Sequence, residues 1–72
     1  MAQHLTAAMR VVKANAGGGS RMPSIAWTKS MILEAADEEA EPDALRLRAK
    51  LERACGCTIT ELARIAETWP NE

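Results

Sequence analysis

At 72 residues, 47% hydrophobic and 26% charged, the chain has room for one small domain, 1–72, and a domain of that size buries only a thin core. A net charge of −1 excludes a general polycation of the kind that coats nucleic acid. No apolar run approaches the roughly 18 residues a membrane span requires, and one histidine with two cysteines leaves little material for a metal centre or an acid–base pair.

The total charge conceals a segregation. Residues 1–33 carry Arg10, Lys13, Arg21 and Lys29 and no acid; 34–43 hold Glu34, Asp37, Glu38, Glu39, Glu41 and Asp43; the remainder is nearly balanced, so the three parts carry +4, −6 and +1. The N-terminus lacks the charged region followed by an apolar core that marks a secretory signal. The expectation is therefore a cytoplasmic protein whose cysteines are free thiols.

Helical periodicity runs through the chain, and no sustained alternation of the strand kind interrupts it. Leu5, Ala8, Met9, Val12 and Ala16 share one face, which predicts a helix over about 5–16 with Arg10 and Lys13 on its solvent side. Residues 17–20, Gly-Gly-Gly-Ser, have the composition of a flexible linker. Pro23 suits a first helical position, where a missing N–H costs nothing, and Ile25, Ile32, Leu33, Ala36 and Ala40 form a stripe that predicts a second helix over about 23–40. Trp27 and Met31 lie four residues apart on roughly the opposite side of it and so need a cover of their own.

Pro42 ends the second helix and can open a third. That helix, over about 42–55, has Ala44, Leu47, Leu51, Ala54 and Cys55 on one face, and Gly56 stops it by taking up the left-handed conformation. The short connection at Pro42 predicts that the two helices form an antiparallel hairpin. Glu41 and Asp43 flank the start of the third helix, where its dipole favours acids. Glu38 and Glu39 near the end of the second are on the wrong side, which predicts a basic side chain close by.

Thr58-Ile59-Thr60-Glu61 has the form of a capping box, with Cys57 and Leu62 at the positions of a hydrophobic staple. A fourth helix follows over about 59–69, with Ile59, Leu62, Ile65, Ala66 and Trp69 on its apolar face and Pro70 beyond it. The fold class is all-α. Four stripes and a second face on one helix exceed what so thin a core readily covers, which predicts a homodimer.

Chemistry finds little purchase. Cys55-Gly56-Cys57 is not the spacing of thiol oxidoreductases, a disulfide across one residue would be strained, and a tetrahedral zinc site needs more ligands than His4 can add. No cofactor, metal or catalytic residue is assigned, and the chain is not read as an enzyme. The acidic elbow has the charge to face a basic protein surface, though acids between helices are commonly a solvated turn.

Residues 51–65 resemble a helix-turn-helix motif: Gly56 stands at the turn, and Leu51, Ile59, Leu62 and Ile65 at the apolar positions. The resemblance implies a DNA-binding transcription regulator whose last helix presents Thr58, Thr60, Glu61 and Arg64 to the major groove. The chain departs from the motif at Glu52, where a small residue is usual. The preferred reading is instead a small helical protein-binding regulator or inhibitor that occupies a surface of another protein. Trp27 and Met31, with the basic Arg10 and Lys13, are its partner-binding residues, because tryptophan and methionine favour interfaces. In size and helical simplicity the chain resembles the small early proteins by which phages and mobile elements inhibit host transcription regulators or enzymes.

Overall fold

The computed structural model describes residues 3–17 and 21–70. The linker expected at 17–20 lies, apart from Gly17, outside the described residues. Among those described there are four helices and no strand: α1 Leu5–Asn15, α2 Ile25–Ala36, α3 Pro42–Cys55 and α4 Ile59–Ala66. The radius of gyration is 10.9 Å, close to the value of about 11 Å for a compact chain of this length.

Helices α2 and α3 pack on each other across a short connection, as a hairpin does, but this is not the most extensive contact. Helix α1 lies chiefly on α3, and α2 chiefly on α4. Each arm of the hairpin thus takes its main cover from a helix at one end of the chain. One cluster forms the core: Ala8 from α1, Ile32 and Ala35 from α2, Leu47, Leu51 and Cys55 from α3, and Ile59, Leu62, Ala66 and Trp69 from the C-terminal segment. Buried residues from all four helices meet in this one cluster.

Helix α2 differs most from expectation. Pro23 is buried ahead of the helix rather than at its first position, and Ser24 is the N-cap, its hydroxyl accepting the Trp27 N–H at 3.0 Å. The helix ends at Ala36, short of residue 40. Asp37 turns to an extended conformation, and its carboxylate accepts the Glu39 N–H at 2.9 Å, a local bond that competes with helix continuation. Arg48 reaches over from α3 and donates to the carbonyls of Ala35 at 2.7 Å and Asp37 at 3.2 Å. It supplies the positive charge that the C-terminal carbonyls of α2 favour.

The buried face of α2 is rotated from the one the apolar residues outline. Thr28, Ile32 and Ala35 are inside, Ile25 and Ala36 are half-buried, and Leu33, assigned to the core stripe, is 56% exposed. A buried threonine is tolerable because its hydroxyl donates to the Ser24 carbonyl at 2.8 Å. Swinging Thr28 inward brings Met31 against the core and carries Leu33 out.

Helix α3 opens with Pro42 at its first position and closes at Gly56, whose φ of 68° permits its N–H to return to the Glu52 carbonyl at 2.8 Å. Its buried residues are Leu47, Leu51 and Cys55, with Ala44 half-buried and Ala54 exposed. Thr58 caps α4 by accepting the Glu61 N–H at 3.1 Å. The last α-helical residue is Ala66, and turns continue through Thr68 and Trp69. Trp69 is 3% exposed, and its indole N–H donates to the Gln3 carbonyl at 2.9 Å, joining the two ends of the described chain.

Candidate protein-binding surface

Two features of the surface remain after the core is closed. The first is the flank of α2 that carries Trp27 and Met31. Because they are four residues apart on a helix, the two side chains stand one above the other. Met31 is partly buried and packs against the core, whereas Trp27 is 45% exposed. The chain therefore covers half of the second apolar face and leaves the tryptophan half open. The Ser24 cap holds this first turn in place.

The second feature adjoins the first. At the junction of the α2 end, the connection to α3 and the first turns of α3 is a cleft of about 280 Å³, open to solvent on one side. Met31, Ala40, Ala44 and Leu47 give it a buried or half-buried apolar floor. Glu34, Asp37, Glu39, Glu41 and Asp43 stand exposed around it, with Asn15 from the end of α1. Asp43 also pairs with Arg46 at 3.1 Å across a solvent-exposed turn of α3, a contact worth little in water. The acidic run was visible in the sequence; that Met31, Ala44 and Leu47, from two helices, would converge beneath it was not. No single helix period contains that juxtaposition.

The other sequence-assigned residues lie elsewhere. Arg10 is exposed on α1 and Lys13 is half-buried there; neither lines the cleft. Thr58, Thr60 and Arg64 are exposed on α4, but the α4 N-terminus is occupied. The Thr58 hydroxyl is engaged in the cap, and the Glu52 carboxylate accepts the Ile59 N–H at 2.7 Å. The residue that departs from the helix-turn-helix pattern is thus a cap. It sets a negative charge, beside Glu61, where a DNA phosphate would approach a reading helix.

Cys55 is buried, and Cys57 is half-buried and packs against the core. Both are free thiols. Burial pushes the Cys55 thiol above its ordinary 9.0, with Cys57 adding to the effect. Burial and then the carboxylates of Glu61 and Glu52 do the same for Cys57. A raised pKa leaves little thiolate at neutral pH, the reverse of what nucleophilic or redox thiols need. Among the described residues no group of histidine, cysteine and carboxylate side chains is placed to hold a metal, and no helix is long and apolar enough to cross a membrane.

Comparison with protein-family models, with curated proteins and with solved structures returned no significant match. The functional reading therefore rests on the geometry of this chain.

Proposed function

We propose that the protein is a small helical binding module that acts by occupying a surface of another protein, and that the Trp27 flank of α2 is its contact. The observation that carries this reading is the half-exposed Trp27 above a partly buried Met31. A large, half-exposed ring contributes much contact area at little entropic cost, which is why such residues dominate interface energetics. Leu33 and Leu45 are also about half exposed, but single surface leucines are ordinary.

Inhibition of a transcription regulator or enzyme, as in small phage and mobile-element proteins, fits this reading. Its support is size and helical simplicity. Arg10 and Lys13 belong to the proposal only if the partner reaches around to α1. The DNA-binding alternative gains no support from the α4 N-terminus, which Glu52 and Glu61 make acidic.

The test is retention of proteins from a lysate of the source organism on the immobilised chain. The same partner should be held by wild type and by Arg64→Glu and lost from Trp27→Ala. Both variants alter exposed side chains, so their helicity should match wild type. Loss with Arg64→Glu and retention with Trp27→Ala would overturn the proposal in favour of α4.

A further inference from the structure

We propose that the cleft beside the Trp27 flank receives a basic, amphipathic segment of the partner protein: an apolar side chain seated on its floor and lysine or arginine side chains reaching its rim. This rests on the protein-binding reading above and states the chemistry of what is bound.

Three properties point to that occupant. The floor is apolar and comes from both α2 and α3, with Met31 and Ala44 half-buried over the fully buried Leu47. Methionine adapts its shape to what lies on it. A volume of about 280 Å³ is at the lower end for an enclosed small-molecule site, but it accommodates one or two large side chains of a peptide laid across it. The rim then selects by charge. Glu34, Glu39 and Glu41 are exposed around the opening, so a neutral or acidic apolar segment meets repulsion or gains nothing, whereas a basic one gains a pair at each.

The −6 charge of residues 34–43 is concentrated in this one part of the chain. Such a field raises the rate of encounter with a cation before any contact is made. An apolar seat within an acidic ring is complementary to a helix or strand that alternates leucine-like and lysine-like positions. It offers nothing to a phosphate or a nucleic acid.

The test uses the full chain and a fluorescein-labelled synthetic peptide of about 16 residues, long enough to form a helix on binding, with leucines at i, i+3, i+4 spacing and lysines between. A second peptide replaces the leucines with serine. Binding is followed by anisotropy at low and high salt. The leucine–lysine peptide should bind saturably. It should bind about tenfold more weakly to the Glu34→Gln/Glu39→Gln/Glu41→Gln variant, the combined effect of three exposed charge pairs. Ala44→Arg, which fills the cleft from its own floor, should bind it at least as poorly.

Equal binding of the serine–lysine peptide would overturn the proposal, because it would show charge attraction without the seat. Unaltered binding by Ala44→Arg, or no binding of the leucine–lysine peptide at low salt, would overturn it too. A partner captured through Trp27 and unaffected by the three glutamine substitutions would leave the binding-module reading standing and remove this one. A wild-type dimer that the three substitutions dissociate would give the cleft to a second copy of the chain, also against the proposal.

Discussion

Arg48 does for α2 what no residue of that helix can. The last turn of α2 contains no base, its final carbonyls face an acidic connection, and the guanidinium from α3 takes the carbonyl oxygens of Ala35 and Asp37. Arg48→Met keeps the aliphatic stem and removes the donors. It should cost about 1–2 kcal/mol, as loss of hydrogen bonds from a charged donor does, measured as a lowered urea midpoint with an unchanged slope. Glu52 plays the matching part at the start of α4, and Glu52→Ala should cost about 1 kcal/mol, as loss of a cap does.

The cysteines give a prediction with a sign. Both folded thiols titrate above their ordinary 9.0, so the folded state holds those protons more tightly than the unfolded chain. Their contribution is fully present below the unfolded value and is lost as pH rises through the folded one. Stability should therefore fall above about pH 9, and more steeply in wild type than in Cys55→Ala/Cys57→Ala. Urea midpoints at a series of alkaline pH values would show it; parallel curves for the two proteins would contradict it.

At the scale of elements, α2 is informative because its composition and its packing disagree. Its apolar residues are spread around the helix, and the hydroxyl bond of Thr28 lets a polar residue take a core position while Leu33 goes to solvent. Leu33→Gln should accordingly change stability by no more than about 0.5 kcal/mol, whereas Ile32→Ala, at a fully buried position, should cost about 2–5 kcal/mol. Thermal melts of the pair decide whether Leu33 belongs to the core beside Ile32. If Leu33 proved the costlier of the two, the stripe outlined by apolar residues would be the core after all. The same rotation of α2 turns Met31 toward the cleft and leaves Trp27 half exposed.

At the scale of the whole molecule, the ends of the chain matter more than the hairpin at its middle. Helices α1 and α4 supply the main covers of α3 and α2, and Trp69 both fills the core and holds the Gln3 carbonyl. Trp69→Ala should cost about 3–5 kcal/mol, a large share of what a domain of this size possesses, and should loosen α1 first, visible as early loss of amide protection there. Since the core closes within one chain, the melting temperature should not move with protein concentration. A systematic rise with concentration would show a homodimer.

Local chemistry is enough to specify that there are four helices, and several of their boundaries. Pro42 at the head of α3, Gly56 in the left-handed conformation at its end, Thr58 as a cap and the apolar faces of α1, α3 and α4 each depend on a few neighbouring residues, and each is readable in order along the chain. The end of α2 is not, because Asp37 and the distant Arg48 act there together. Packing likewise chose which side of α2 is buried, covered each hairpin arm with a terminal helix, and brought Met31, Ala44 and Leu47 together under the acids. These are long-range outcomes: they depend on which apolar surfaces meet best once all four helices compete for one small core, and a helical period carries no record of that competition.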